Sequence, residues 1–244
     1  MDFHLNNLRI LLSITSMSKQ AIKRIIQKDM KSIQTHQLQD MGIYIEFNEE
    51  NMLEAVAMIK GPIDSVYNHG ILFFKIKFPT NYPYSPPHVS YISRGSARIH
   101  PNLYTGGARD NYLGKVCLSI LGTWSGPQWT TIMDISSVLI SIQSLLDTNP
   151  LDHEPGFAGK TSTTHTLYTK VVEHETYRTL FLKNCLDIPE PFLCFKDIIV
   201  DHYTSHIQGV LEDIKDKENE HITLPVYRIN VDLQYEYLRS HLKI

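Results

Sequence analysis

The chain has 244 residues, enough for one full domain with a substantial extension or for two small domains. Apolar residues make up 42% and charged residues 20% of the sequence, which is typical of a folded, soluble protein. The formal net charge of −3 provides no overall basic field, and this argues against broad nucleic-acid binding.

The first fifteen residues are interpreted as an N-terminal extension. Residues 3–14 are mostly apolar, but Asn6, Asn7 and Arg9 interrupt them. The stretch is too short to span a bilayer and has no small-residue cleavage site. It therefore predicts neither a membrane anchor nor a removable leader, and we expect no membrane partner.

An amphipathic helix is expected after Ser18, which is predicted to cap it. Lys19, Lys23, Arg24 and Lys28 fall on its polar faces. Its apolar side chains recur at helical spacing: Ala21, Ile22, Ile25, Ile26, Met30 and Ile33.

Extended segments follow and predict an antiparallel meander. Apolar residues alternate over residues 43–47 and 72–78, and a short apolar run fills residues 55–59. Gly61-Pro62 and the cluster at residues 68–70 mark turns between them. Four prolines within residues 78–87 exclude a helix or a central strand there, and Val89 and Tyr91 indicate one more strand.

A long polar stretch, residues 93–114, separates this last strand from Cys117. The clearest helix of the chain is predicted over residues 135–146 and is ended by Asn149-Pro150. Residues 156–164 are interpreted as a linker. Three further helices are expected over residues 167–182, 197–211 and 231–242, with a solvated loop at residues 212–220.

These elements divide the chain into an N-terminal extension (1–15), a main domain (16–160) and a C-terminal helical extension (161–244). The apolar stripes of the extension must be buried against something, so we expect it to pack on the main domain while leaving Cys117 accessible. The alternative is an independent module on a flexible tether, favoured by the linker.

Three cysteines, Cys117, Cys185 and Cys194, form neither a disulfide framework nor a zinc site, which favours a reducing compartment. We expect the cytoplasm and leave the nucleus open. His202 and His206 lack a third ligand, and residues 159–161 lack the preceding strand of a phosphate loop. No metal and no cofactor are expected.

Taken alone, Cys117 is most simply a buried core residue. The motifs around it change this interpretation, because their order resembles the catalytic domain of the ubiquitin-conjugating enzymes from about residue 18 to about residue 157. The motifs are, in order, Gly61-Pro62, Phe78-Pro79, Tyr82-Pro83-Tyr84, Pro86-Pro87, His100-Pro101-Asn102, and residues 114–121 around Cys117. Residues 122–129, 154–157 and 174–176 resemble the large subgroup that includes ubiquitin-conjugating enzyme Z.

The resemblance implies an α+β fold of the ubiquitin-conjugating (UBC) type, with an antiparallel meander flanked by helices and a helical extension. It implies that Cys117 carries ubiquitin, or a relative of it, as a thioester. Asn102 corresponds to the family's asparagine and is the expected donor to the developing oxyanion. Asp152 corresponds to an aspartate that the family often carries, and it is expected to orient the attacking lysine.

The neighbouring motif residues have ordinary interpretations as well. His100 and Pro101 are expected to shape the loop and not to transfer protons. Asn102 is also suited to bonding its own loop, and Asp152 to being an exposed carboxylate. More residues separate Asn102 from Cys117 than is usual in the family, and the surplus, about residues 105–112, leaves the placement of Asn102 open.

Expected partners are ubiquitin or a ubiquitin-like protein, a ubiquitin-activating enzyme, a ubiquitin ligase and a substrate protein. The resemblance implies that Lys19, Lys23 and Arg24 dock the activating enzyme, although a solvated helix face has the same charge pattern. The expected ligase contacts are Tyr84, Thr131 and Ile132, where residues 130–132 depart from the family's usual serine-proline-alanine.

There are two rival functions. One is a non-catalytic adaptor with the same fold that binds ubiquitin without carrying it, and the other is an interaction domain of related shape that binds only protein partners. The cysteine at position 117 argues against the adaptor, and the intact His100-Pro101-Asn102 motif argues against the interaction domain.

Overall fold

A five-stranded antiparallel meander forms the centre of the protein. The computed structural model describes residues 16–107, 109 and 111–242, so the expected N-terminal extension, residues 1–15, lies outside the described residues. The strands follow one another in the sheet as they do in the chain: β1 Ile43–Phe47, β2 Glu54–Lys60, β3 Ile71–Lys77, β4 His88–Ile92 and β5 Leu113–Lys115. The predicted meander is confirmed, and β5 is a strand that the sequence pattern did not indicate.

Helix α1 extends from residue 16 to Thr35 and contains a π-helical turn at Ile25–Asp29. The helix already runs before Ser18, so the predicted cap at Ser18 is wrong. Apolar spacing places the helix correctly, but Met17 continues it upstream without a break.

Asp29 joins α1 to the rest of the domain. Its buried carboxylate accepts hydrogen bonds from the Tyr82 hydroxyl at 2.5 Å, the Ile135 amide at 2.9 Å and the Arg24 guanidinium at 2.7 Å. Burial raises the pKa of Asp29 above its usual value, while these donors act in the opposite direction. The network fixes α1 against the proline-rich segment and against the start of α2 (Ile135–Ser144).

Helix α2 contributes its apolar stripe to the hydrophobic core. Asp134 caps it by accepting from the Ser137 amide at 3.0 Å, which satisfies one of the free N–H groups of the first turn. The inward side chains are all buried: Ile135, Val138, Leu139 and Ile142.

The C-terminal extension contains helices and a β-hairpin. Helix α3 runs through Thr163–Glu175, a π-helical stretch Thr176–Lys183 and Asn184–Leu186, and α4 covers Lys196–Ile214. Strands β6 (Glu220–Leu224) and β7 (Ile229–Leu233) then pair antiparallel before α5 (Tyr235–His241). Short 3-10 turns lie at Leu38–Met41, Ser119–Leu121, Pro150–His153, Glu190–Phe195 and Val226–Arg228.

Two predictions for the extension are wrong, one in the hairpin and one at the end of α4. Residues 231–233 form a strand instead of the start of a helix, and residues 212–214 belong to α4 instead of a loop. Buried and exposed residues alternate along β7, so the period-two signal was present in the sequence. It is short, and the helical spacing of Tyr235, Leu238 and Leu242 obscured it.

The extension packs directly on the meander. The Phe192 ring lies 4.5 Å from the Phe73 ring, and the Asn184 side-chain amide donates to the Ile71 carbonyl at 2.7 Å. A Cβ on Gly95 would lie 2.3 Å from a carboxylate oxygen of Glu175, so the backbone at Gly95 lies directly against α3. The structure thus has the packed arrangement, while the boundary between residues 160 and 161 stays a prediction.

Candidate active site

Two backbone segments run side by side at the end of β5 and bring the predicted catalytic residues together. Leu103 forms isolated β-bridges with His100 and with Val116. Directly beside this bridge, the Cys117 amide donates to the Asn102 carbonyl at 2.9 Å. Cys117 and Asn102 are therefore neighbours in space despite the long segment between them.

The Cys117 side chain is almost completely covered. Only 1% of the residue is exposed, so the expectation that the extension leaves this thiol accessible is wrong for this conformation. A thioester carbonyl can reach the sulfur only if neighbouring side chains or loops shift. Cys185 is buried as well, and Cys194 is exposed.

The Asn102 side chain holds the backbone of Cys117. Its Nδ2 donates to the Cys117 carbonyl at 2.7 Å, and only 6% of the residue is exposed. An amide nitrogen carries two hydrogens, so one N–H remains for a second acceptor. Within the described part of the chain, Asn102 Oδ1 is buried without a hydrogen-bond partner.

His100 shapes the loop. Its Nδ1 accepts a hydrogen bond from the Asn102 amide at 3.0 Å. Burial, with a smaller contribution from the nearby His153, lowers the pKa of His100 to about 3. The ring is therefore neutral near pH 7, as an accepting Nδ1 requires, and this geometry fits the loop-shaping role expected from the sequence.

Asp152 lies in the 3-10 turn Pro150–His153 on the other side of His100. The His153 ring lies 4.7 Å from the His100 ring and brings this turn to the loop that carries Asn102. The Asp152 side chain is 38% exposed, and its Oδ1 lies 3.4 Å from Nε2 of His165. One part of this carboxylate thus faces solvent and another faces α3.

Sequence reasoning did not indicate three side chains that surround this site. His165 belongs to α3, Tyr227 to the turn between β6 and β7, and Arg98 precedes the His100-Pro101-Asn102 motif by two residues. No local pattern marks them, because their contacts join segments far apart in the chain.

The residues expected to dock the activating enzyme differ in exposure. Lys19 and Lys23 are exposed on α1. The Arg24 side chain is only 13% exposed, and its guanidinium binds Asp29 and the Met133 carbonyl, both at 2.7 Å. Arg24 therefore stabilises the domain from within. Of the three residues expected to dock the activating enzyme, only Lys19 and Lys23 are exposed.

The three residues expected to contact a ligase all lie at the surface. Tyr84 is 77% and Ile132 is 76% exposed, and Thr131 is exposed beside Ile132. The Trp129 indole donates to the Pro83 carbonyl at 2.7 Å and joins the two loops. This bond links the segment that carries Tyr84 to the segment that leads to Thr131 and Ile132.

The histidine pair that the sequence placed one helical turn apart serves packing. The His202 and His206 rings stack at 4.0 Å, and Nε2 of His202 bonds the His69 carbonyl at 2.8 Å. Across residues 16–107, 109 and 111–242, no group of three or more metal-ligating side chains occurs, and no helix is long and apolar enough to cross a membrane.

The chain is similar to known proteins. The family model described as ubiquitin-conjugating enzyme matches residues 25–175. Ubiquitin-conjugating enzyme E2 Z of Danio rerio is 33% identical over 232 residues, which cover 93% of this chain and 68% of that protein. The Homo sapiens E2 Z is 37% identical over 172 residues, which cover 68% of this chain and 46% of that protein. Among solved structures, the E2 domain of a Toxoplasma gondii ubiquitin conjugating enzyme is 24% identical, covering 59% of this chain and 91% of that chain with a TM-score of 0.45.

Proposed function

This chain belongs to the ubiquitin-conjugating enzymes, and we propose that it accepts ubiquitin, or a ubiquitin-like modifier, from an activating enzyme as a thioester on Cys117 and passes it to a substrate lysine or a ligase. One observation supports this most directly. Asn102 holds Cys117 through two hydrogen bonds, from the Cys117 amide at 2.9 Å and to the Cys117 carbonyl at 2.7 Å. These bonds hold the side-chain amide of Asn102 next to Cys117, the proposed nucleophile.

Loading is an exchange of thioesters. The Cys117 thiolate attacks the carbonyl carbon of the modifier's C-terminus, a new carbon–sulfur bond forms, and the thiolate of the activating enzyme leaves. Cys185 is unsuited to this step, because burial raises its thiol pKa to about 12. The covered position of Cys117 requires local opening before the attack.

Discharge places negative charge on the thioester oxygen. A lysine amine attacks the carbonyl carbon, and the Cys117 thiolate leaves as the amide forms. The second N–H of Asn102 Nδ2 is the donor for this oxygen, since the first is bound to the Cys117 carbonyl. Because that bond fixes the amide beforehand, little reorganisation is needed as the charge develops.

Asp152 orients the incoming amine. It lies on a turn that contacts His100, and its side chain remains 38% exposed. A lysine that approaches from solvent meets this carboxylate, which binds its ammonium group and takes the proton that the group must lose before the neutral amine attacks.

The exposed surfaces agree with the expected partners. Lys19 and Lys23 form the basic face for an activating enzyme, while Tyr84, Thr131 and Ile132 form the surface for a ligase. The three free cysteines favour a reducing compartment, and we propose the cytoplasm.

A loading assay tests the proposal. Purified chain, ubiquitin, activating enzyme and ATP are combined and run on a non-reducing gel. We expect a reductant-sensitive adduct in the wild type and in Cys185→Ala, and a reductant-resistant ester or no adduct in Cys117→Ser. An adduct that is unchanged in Cys117→Ala would show that another residue carries the modifier. Ubiquitin binding without any adduct would favour the adaptor.

A further inference from the structure

The turn between β6 and β7 brings Tyr227 to the candidate active site. Tyr227 and Arg228 both have left-handed backbone angles, with φ of 56° and 52°. Residues with a Cβ rarely adopt this backbone conformation, and two such residues in succession are held in it only where surrounding contacts enforce it. The contacts that hold Tyr227 lie almost entirely outside the hairpin.

The first contact is to the loop that carries Asn102. The Arg98 guanidinium lies between two aromatic rings, 3.6 Å from the centre of Tyr104 and 4.3 Å from the centre of Tyr227. Such stacking fixes the plane of a guanidinium group. In this plane, Arg98 Nε donates to the His100 carbonyl at 3.3 Å, and Nη2 donates to the Pro101 carbonyl.

The second contact is to the turn that carries Asp152. The Tyr227 hydroxyl donates to the carboxylate of Glu154, two residues after Asp152. Burial and, to a smaller extent, this bond raise the pKa of Tyr227 above its usual value, so the hydroxyl keeps its proton at neutral pH. Tyr227 therefore contacts both the loop that carries Asn102 and the turn that carries Asp152, the two segments joined by the contact between the His100 and His153 rings.

Tyr168 of α3 contacts both Tyr227 and Arg98. Its ring packs 5.7 Å from the Tyr227 ring, and its hydroxyl donates to the Arg98 carbonyl at 2.8 Å. Tyr168 is completely buried. The Tyr227 ring thus packs against a fully buried ring that is itself bonded to the backbone of Arg98.

We propose that Tyr227 is a positioning residue for lysine discharge. It holds the Asn102 loop, through Arg98, at a fixed distance from the Asp152 turn, through Glu154. This inference rests on the proposed function. Discharge depends on Asn102 and Asp152 together, because the amine and the oxyanion must be held at once, and small displacements of such groups have large effects on rate. Loading uses the Cys117 thiolate with a donor thioester and does not need the Asp152 turn.

The test measures loading and single-turnover discharge to free lysine separately, as a function of lysine concentration. We expect Tyr227→Ala to slow discharge at saturating lysine by about tenfold while the loading rate stays close to that of the wild type. Tyr227→Phe keeps the ring on Arg98 and loses only the bond to Glu154, so a slowing of about threefold is expected. The matched control is Tyr237→Ala, an exposed tyrosine of the same extension whose ring stacks on His241.

A double-mutant cycle with Arg98→Ala tests whether Tyr227 affects discharge through Arg98. If Tyr227 acts through Arg98, the double variant discharges little more slowly than Arg98→Ala alone. The inference is overturned if Tyr227→Ala and Tyr227→Phe both discharge at the wild-type rate. It is also overturned if Tyr227→Ala slows loading and discharge equally, or if it behaves as Tyr237→Ala does.

Failure of the inference and failure of the proposed function give different results. A wild-type chain that forms no adduct on Cys117 contradicts the proposed function and removes the basis of the inference. A wild-type chain that loads and discharges normally, with Tyr227 variants that do the same, contradicts the inference alone.

Discussion

At the scale of single residues, Asn102 has two separate tasks. Its side-chain nitrogen holds the Cys117 carbonyl, and its backbone carbonyl receives the Cys117 amide. Of these two groups, only the side-chain amide can donate a hydrogen bond to a developing oxyanion, because the backbone carbonyl is an acceptor. The side chain can therefore be removed while the backbone bond to Cys117 remains.

Asn102→Ala is expected to leave loading mostly intact and to slow lysine discharge by about a hundredfold or more, the usual effect of removing one oxyanion donor. Asp152→Ala is expected to slow discharge as well, because the amine loses its orienting carboxylate. Single-turnover discharge to free lysine measures both. If the two variants discharge at the wild-type rate, neither residue has the role proposed for it.

Buried histidines make the stability of the fold sensitive to acid. Burial lowers the pKa of His100 to about 3 and the pKa values of His174 and His202 to about 4. In the unfolded chain each ring takes up a proton near pH 6.5, whereas in the folded chain it stays neutral. The unfolded state therefore binds more protons below pH 6.5, and the free energy of unfolding falls as the pH drops.

Each of these histidines is expected to remove about 1.4 kcal/mol from the free energy of unfolding per pH unit between pH 6 and its folded-state pKa. The urea midpoint, measured from pH 7 to pH 4.5, tests this. His174→Gln keeps an acceptor for the Gln234 amide and removes one titrating group, so its pH dependence should be shallower. An unchanged slope relative to the wild type and to the exposed His36→Gln control would contradict the assignment.

At the scale of elements, the sequence indicated the meander, α2, and most of α3 and α4, because long periodic segments lie in them. It missed β5, which has three residues, and the β6–β7 hairpin, where a helical pattern follows directly. The candidate site was predictable as far as its motif residues. Arg98, His165 and Tyr227 were not, because contacts between distant segments leave no local pattern.

The contact between the 3-10 turn Glu190–Phe195 and β3 tests whether the extension is bound to the domain. Phe192 is 1% exposed and lies against Phe73. Phe192→Ala is expected to lower the free energy of unfolding by about 3–5 kcal/mol, since it leaves a cavity between the two parts. Leu193→Ala, at a neighbouring residue that is 50% exposed, is the matched control.

Denaturant unfolding and limited proteolysis measure this prediction. Under the packed arrangement, Phe192→Ala also increases cleavage within residues 156–164. Rapid cleavage of the wild type near Gly159, giving two stable fragments that do not associate, would instead indicate an independent module on a tether.

At the scale of the whole molecule, the candidate site draws on both parts of the chain. The main domain supplies Cys117, Asn102 and Asp152, and the extension supplies His165 and Tyr227 around them. The family match ends at residue 175, whereas the similarity to the Danio rerio relative covers 93% of the chain. We therefore expect the extension to affect discharge as well as stability.

The mass of the intact chain tests the central claim most directly. After incubation with ubiquitin, activating enzyme and ATP, the wild type should gain the mass of one ubiquitin less one water, and a thiol reductant should remove it. Cys117→Ala should show no gain, while Cys185→Ala and Cys194→Ala should gain the same mass as the wild type. A wild type that gains no mass, or a Cys117→Ala variant that gains the full mass, would contradict the assignment of Cys117 as the carrier.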